Sequence, residues 1–528
     1  MPVFCFGFEA AWVDELTPIY PDSKVIEGRI ECRLDVPAVA VAGVHLLISG
    51  LPAESSLTLP KVSGGVWSRL IAVPVEENTG LDSRTERFSG KKNPFVIRRA
   101  PFWVYDAIEP LKSDTVKVDD EGRVALRLEL TGGKKRLIKC HLTAGEETVE
   151  LSVDYRPHLI HLTPAGEVGF HYTNWFSLRN IGGTRGLKVW TEDWWRMLDK
   201  SAELMARGRQ NTVYVPVTSM CSLDNSGELQ FNRERFERYI KIFIKHGFCY
   251  FEGGHLAGRK DGKWSATNLV THIGKHNVTS KEGLAEMTAI CRQLYKEIER
   301  HGWRKQWVQH LADEPSDQLV GDYREVATLL HREMPGIPVL DATVTRNIIG
   351  AVDIWCPQIQ RYQNNHDFFE ERRAAGDRIW TYSCLAPGGP WLNRLLDQER
   401  LRPVYFGWAA VKFQLDGFLH WGLNYYRVDP YKQSVTIHKK GNPDNRLPAG
   451  DSHVFYPGKY APLSSTRFEA HRIGMEDLSM LKMLMKRDPA LTKILISEVF
   501  QSYDSYSKSV ELYRATRLKL MLALEEKH

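Results

Sequence analysis

Gln306-Trp307-Val308-Gln309-His310-Leu311-Ala312-Asp313-Glu314-Pro315 reads as a strand that ends on two adjacent carboxylates and is stopped by a proline. The run to Leu311 has the apolar texture of a buried strand, and Pro315 with Ser316-Asp317 turns the chain toward a helix over Gln318 to Met334. In alternating α/β folds chemistry is placed at the C-terminal end of such a strand, so Asp313 and Glu314 are candidates for a proton donor and a charge stabiliser. Acids ahead of a proline also serve as ordinary helix caps, so the pair needs support from the rest of the chain.

Working outward, seven more strand-like runs surround this one: Gly169 to Tyr172, Thr212 to Val215, Phe248 to Phe251, Pro338 to Asp341, Asp353 to Cys356, Arg378 to Tyr382 and Gly417 to Trp421. Most are separated by amphipathic stretches of helical period, such as Arg233 to Lys245 and Lys281 to Arg300. Eight such units predict an α/β fold of the (β/α)8 TIM-barrel type, with the site on the loops that follow the strands. Those strand ends carry His171, Asn174 and Trp175; Glu252 and His255; Asp313 and Glu314; Asp341; Gln358; Tyr382; and Trp421, Asn424 and Tyr425.

Ahead of the barrel the texture differs. Runs such as Arg29 to Val36 and Arg123 to Leu130 alternate polar and apolar residues with period two, which predicts an antiparallel, all-β sandwich over residues 1–156. The barrel is expected over 157–468, and a C-terminal helical segment packed on it over 469–528, where Leu478 to Leu484 keeps a long apolar period.

Composition narrows the class. With 528 residues, 43% hydrophobic and 26% charged, the chain has the balance of a soluble multidomain protein. The net charge of +5 is not gathered into a stripe, so no nucleic acid is expected; Lys134-Lys135-Arg136 and Lys439-Lys440 read as solvated turns. The apolar run Val36 to Leu51 is too short to span a bilayer, so no membrane is expected. Met1 to Cys5 lacks the basic start of a secretory signal, which predicts a cytoplasmic protein unless a leader has been removed. The eight cysteines show no CxxC spacing and read as free thiols. The 15 tryptophans and 20 tyrosines supply flat faces with polar edges, suited to amphipathic ligands, sugars among them.

Three segments together resemble one family. They are Leu311-Ala312-Asp313-Glu314-Pro315, Gly417 to Asn424, and the stretch from Tyr456-Pro457-Gly458 through Ser464 to Ala470 and Arg472 to Asp477. They resemble glycoside hydrolase family 123 and the wider domain family around its catalytic barrel, over about Gly169 to Leu484. The resemblance implies a β-sandwich ahead of a (β/α)8 barrel, β-N-acetylgalactosaminidase activity by neighbouring-group participation, Glu314 as general acid/base and Asp313 orienting the 2-acetamido group. The wider family is more diverse than its founders, so a glycosidase is implied more firmly than this sugar.

The chemistry suits two adjacent acids. Neighbours in sequence do not easily straddle a sugar ring as nucleophile and acid, but they can reach the leaving oxygen and the acetamido nitrogen of one substrate. Glu314 would protonate the leaving oxygen while Asp313 accepts the acetamido N–H, and two carboxyls so close are expected to titrate as a pair. Tyr382 is a candidate donor to the acetamido oxygen, Trp421 a stacking floor, and Trp175 and Trp355 walls for the acetyl methyl. His171, Asn174, His255, Asp341, Asn424 and Tyr425 complete the expected sugar-binding set, although each could equally be barrel packing or support.

Three alternatives stand beside this reading. A non-acetamido sugar would need a second carboxylate, Glu252 or Asp341, opposite Glu314. A metal-dependent barrel enzyme would draw on His171, His255, His310, Asp313 and Asp341, but no HExxH-like spacing is present, and neither metal nor cofactor is expected. A non-catalytic carbohydrate-binding protein is the third. The expected partner in every reading but the metal enzyme is a carbohydrate; oligomeric state is not legible.

Overall fold

Val124, Leu126, Leu128 and Leu130 sit two apart in one strand, and all four point into the same apolar layer. That strand, Val124–Thr131, lies in a six-stranded antiparallel sheet with Glu9–Asp14, Val41–Ser49, Gly65–Val75, Phe102–Pro110 and the distant Ser464–Ser465. A second sheet, built from Glu31–Pro37, Glu147–His158, Arg136–Ala144, Ser56–Thr58 and Thr115–Lys117, supplies Leu142, Leu151, Val153 and Tyr155 to the same core. The sandwich departs from a purely antiparallel one, because Glu31–Pro37 runs parallel to Glu147–His158.

The computed structural model describes residues 7–26, 28–438 and 441–525. The Lys439-Lys440 turn, the N-terminal Met1 to Cys5 and the end of the C-terminal segment lie outside the described residues. The chain forms two compact units: Met1–Pro164 with Gly388–Lys412 and Asn424–His528, and Ala165–Pro387 with Phe413–Leu423.

In the first unit the outer face of the six-stranded sheet carries buried charge beside an apolar cluster that includes Val13, Leu47, Leu70 and Ala125. Arg127, 1% exposed, pairs with Glu15 at 2.7 Å and Glu129 at 2.6 Å, and lies 3.6 Å from Glu469. Glu469 belongs to the helix Thr466–Arg487, whose first turn is capped by Ser465 accepting from Phe468 N. That helix carries the Arg467-to-Asp477 block singled out in the sequence. Its polar residues are spent inside the unit: Arg467 on Asp106 at 2.9 Å, Arg472 on Glu469 and Glu476, and Asp477 on Arg517, Tyr513 and Trp408. Gly474 lets the helix Leu401–Lys412 approach, since a Cβ there would meet Val404 O at 2.2 Å. The sequence expectation set this segment against the barrel; within its own unit it covers the sandwich sheet.

Besides the hairpins Cys221–Leu223 with Leu229–Phe231 and Ala257–Arg259 with Leu269–Thr271, the described residues of the second unit form eight short parallel strands, here β1 His171–Asn174, β2 Thr212–Val215, β3 Tyr250–Gly253, β4 Trp307–Gln309, β5 Leu340–Thr343, β6 Ile354–Pro357, β7 Arg378–Ser383 and β8 Gly417–His420. Each predicted run contributes to one of them. Helices Glu192–Arg207, Arg233–Lys245, Lys281–His301 and Val320–Glu333 follow β1 to β4 in turn. Lys281–His301 starts where Ser280 accepts from Gly283 N and ends at Gly302, whose φ of +70° suits a residue without Cβ.

Pairing divides these strands into two parallel sheets, β1-β8-β7-β6-β5 and β2-β3-β4. The fold is therefore mixed α/β as expected, whereas no closed ladder of eight strands is present among the described residues. Between β4 and β5 a single parallel bridge, Gln309 to Val339, is made, and the adjoining Pro338 has no N–H to extend it. Between β1 and β2 the Asn211 side chain takes the Tyr172 N–H, where a ladder carbonyl would otherwise stand.

Candidate active site

Leu340, Ala342, Ile354, Cys356, Trp380, Tyr382 and Val308 share one apolar face of the strands, and the strand ends above it bring the acids together. After β4 the chain runs through His310-Leu311-Ala312 to Asp313, which is exposed, and Glu314, which is half-buried. Glu314 has φ of +47°, in the left-handed region that side-chain-bearing residues rarely adopt. From β7 the Tyr382 hydroxyl donates a short hydrogen bond to Glu314 Oε1. Burial and the adjacent Asp313 charge push the Glu314 carboxyl up to about 7, against the opposing pull of Tyr382, Arg259 and Arg361. Burial and the Glu314 charge in turn hold the Tyr382 phenol well above its usual value. The dipeptide thus offers a carboxyl that keeps its proton near neutrality.

Beneath it lies a buried ionic chain. His310, fully buried, joins Glu252 through Nε2 at 2.5 Å and Asp341 through Nδ1 at 2.8 Å. Burial alone would lower its pKa, but the two carboxylates outweigh burial and raise it to about 9, so the ring is a cation at neutral pH. Glu252 Oε1 also accepts from Trp175 Nε1 at 2.8 Å. Asp341 Oδ2 accepts the Tyr323 hydroxyl at 2.6 Å and the backbone N–H groups of Leu311 at 3.0 Å and Ala312 at 3.3 Å.

Around this chain Trp175, Tyr214, His255 and His310 form a ring cluster, with Trp175 5.2 Å from His255 and 5.4 Å from Tyr214 between centroids. His255 and Tyr214 line a cavity of about 470 Å³ with Thr218, Ser219, His272 and Ile273. Burial foremost, with nearby cationic groups, lowers His272 to about 4, so the His272 ring is neutral at pH 7.

The remaining expected residues fall as follows. His171 is the first residue of β1, at the end opposite the acids, packed against Tyr250 and Trp380; the strand begins two residues later than its apolar pattern suggested. Asn174 closes β1, and its amide donates to Gln210 Oε1. Asp341 is fully buried, with both oxygens engaged within the protein. Trp355 lies on the other face of β6 from Ile354 and Cys356, edge-on to Phe368 and Phe369 and donating to Asp377 at 2.8 Å; it packs the core and does not wall the acid pair. Trp421 is half-buried just past β8. Asn424 and Tyr425 belong to the other compact unit, where the Tyr425 N–H donates to Ser452 O.

Two residues escaped the sequence reading. Arg259 donates through Nη1 to Asp313 O at 3.0 Å and through Nη2 to Glu314 O, with its guanidinium 3.9 Å over the Trp264 ring. Tyr323 reaches Asp341 from the helix after β4. Neither stands in a local pattern; only a buried tyrosine one turn into that helix hinted at the second. Donor atoms of His255, His310 and Asp341 lie within 4.8 Å of one another and could in principle hold a cation. Both ring nitrogens of His310 are already bonded to carboxylates, Nδ1 to Asp341 and Nε2 to Glu252, so the residues do not fit that use.

The family description "Glycoside hydrolase 123, catalytic domain" matches residues 175–484, more than half of the chain. Among solved structures, a family 123 glycoside hydrolase from Clostridium perfringens, described in connection with glycolipid glycan hydrolysis, aligns with a TM-score of 0.68 at 12% identity. The alignment covers 98% of this chain and 97% of that one, a likeness that speaks to the fold. A family 10 xylanase from Thermobacillus composti aligns at 0.35 and 11% identity over 60% of this chain and all (100%) of that one, too distant to bear on the argument. No curated protein matches the chain.

Proposed function

Because the chain belongs to the glycoside hydrolase 123 family, we propose that it is a retaining glycosidase of β-linked 2-acetamido sugars, N-acetylgalactosamine first among them, working by substrate-assisted catalysis. The observation that carries the reading is Glu314: a carboxyl raised to about 7, beside a second carboxylate, at the end of a parallel strand. In this scheme the acetamido oxygen of the substrate attacks the anomeric carbon as the glycosidic bond breaks, and Glu314 gives its proton to the departing oxygen. Asp313 accepts the acetamido N–H and offsets the positive charge that grows there. Water then opens the oxazolinium ring, yielding its proton to Glu314, and the configuration is retained.

Tyr382 acts through Glu314 in this reading rather than on the acetamido oxygen, since its hydroxyl is already given to that carboxylate. Trp175 and His255, with the cavity beside them, supply sugar-facing surface. A conventional nucleophile is less well supported: Glu252 and Asp341 are both fully buried and bonded to His310. We also read the two parallel sheets as parts of one (β/α)8 barrel, supported by the Gln309–Val339 bridge and the Asn211 N–H bonded to Tyr172 O at 3.3 Å.

The test compares chromophore release from an aryl β-N-acetylgalactosaminide, the matching glucosaminide and the plain galactoside. Turnover of an acetamido sugar with none of the galactoside is the expected result. Comparable turnover of the galactoside would overturn substrate assistance, and turnover of none would favour a binding protein.

A further inference from the structure

We infer that Asp341 and Arg259 are positioning residues for the acid pair, gripping the backbone turn that carries it from two sides. The inference rests on the acid role of Glu314 proposed above.

A glutamate at φ of +47° is strained relative to relaxed backbone, and such a turn persists only where its surroundings hold it. On one side Asp341 Oδ2 takes the N–H groups of Leu311 and Ala312, the two residues that lead into the pair. That carboxylate is itself fixed, by Tyr323 on the same oxygen and by His310 on the other. On the other side Arg259 ties down the carbonyls of Asp313 and Glu314, and its own plane is braced on Trp264. Leu311 O, between the two grips, accepts from Leu256 N at 3.1 Å and Ala257 N at 3.0 Å. The backbone entering the pair and the two carbonyls of the pair itself are therefore bonded to the segment after β3 or to β5.

The consequence is geometric. A misplacement of about 1 Å in a reacting group costs roughly 100-fold in rate, so loosening either grip should act on proton delivery by Glu314 without touching the substrate. Leaving-group dependence separates this from a merely structural role, because an aglycone that departs without a proton does not need Glu314 in place.

The experiment uses full-length Asp341→Asn and Arg259→Gln with two glycosides of whichever N-acetylhexosamine the wild type turns over faster. One carries an alkyl aglycone, the other 2,4-dinitrophenol, and kcat/KM is compared. In each variant the alkyl glycoside should lose about 100-fold and the dinitrophenyl glycoside less than about tenfold. Equal losses on both, or no loss on either, would overturn the inference. Asp341 is buried, so folding of Asp341→Asn is checked by circular dichroism; should it not fold, the half-buried Arg259→Gln decides alone. A wild type inactive on both glycosides would instead strike the acid assignment, and the grip would fall with it.

Discussion

Tyr382 Oη and Glu314 Oε1, 68 residues apart in sequence, share a short hydrogen bond that ties the end of β7 to the turn after β4. Among the described residues it is the hydrogen bond by which another strand reaches the Glu314 side chain. The phenol stabilises the ionised carboxylate, whereas the Asp313 charge destabilises it, so the two neighbours pull the same proton in opposite directions.

Replacing them should move the pH profile in opposite senses. Tyr382→Phe removes a hydrogen bond to the ionised form, worth about 1.5–3 kcal/mol for a charged acceptor, and the basic limb of kcat/KM should rise by about one pH unit or more. Asp313→Asn removes the repelling charge, and the basic limb should fall below about 7, alongside a loss of rate on acetamido substrates. Profiles that shift together, or not at all, would show that these groups do not set the acid.

Glu314→Gln should lower kcat/KM about 10²- to 10⁴-fold, the usual worth of a positioned acid/base. Its effect on stability carries a sign. The folded-state value near 7 lies above the ordinary carboxylate value of 4.5, so the folded protein holds this proton more tightly. That contribution is complete below the unfolded value and is lost as pH rises through about 7. Glutamine has no such dependence, so the melting temperature of the variant, minus that of the wild type, should grow between pH 5 and pH 8. A difference that shrinks over that interval would contradict the raised value.

How far the site was legible follows from which signals are local. Asp313 and Glu314 could be singled out because strand, acids and proline are contiguous, and Tyr382, which the structure bonds to Glu314, because it closes an apolar run. Trp355 was read as a wall for the acetyl methyl and Asp341 as a rim residue without using alternation: in Leu340-Asp341-Ala342 and Ile354-Trp355-Cys356 the flanking residues share the apolar face, so the central ones must point the other way. Period two was enough to see that. Arg259 was beyond reach, since its partners are two backbone carbonyls 54 and 55 residues away, and carbonyls leave no mark in a sequence. Closure of the barrel was not legible, because eight parallel runs fix the number of strands but not the pairing between β4 and β5, where Pro338 intervenes.

The block that most resembles the family is scaffold, and its removal should be felt as stability. Arg467 and Asp106 are both fully buried and 2.9 Å apart, with Tyr456 and Thr466 also bonded to the carboxylate. Burial opposes the Asp106 charge, yet Arg467 and Arg400 hold its carboxyl well below the usual range. Arg467→Met would strand that charge, at a cost of about 3–5 kcal/mol, read as a lower urea midpoint at pH 7. The depressed carboxyl stabilises the fold above its unfolded value, and that gain is lost as pH falls. The wild type should therefore lose more of its midpoint than the variant between pH 4 and pH 2, below the ordinary carboxylate value. A variant as stable as the wild type at pH 7 would show that the pair contributes nothing.

His310 offers the last test, because its charge distinguishes an ionic strut from a ligand. With Glu252 and Asp341 bonded to its two nitrogens and its value raised to about 9, the ring should remain doubly protonated through neutral pH. Nitrogen chemical shifts of the labelled protein should report an imidazolium at pH 7 that titrates only near pH 9, and exhaustive dialysis against a chelator should leave activity unchanged. The stabilisation this cation gives is complete below about 6.5, the ordinary histidine value, and is lost as pH rises through about 9. His310→Gln keeps some hydrogen bonding but leaves two buried carboxylates without their cation, so it should destabilise by about 3–5 kcal/mol. A neutral ring at pH 7, or activity lost to the chelator and restored by a divalent ion, would turn His255, His310 and Asp341 back into ligands.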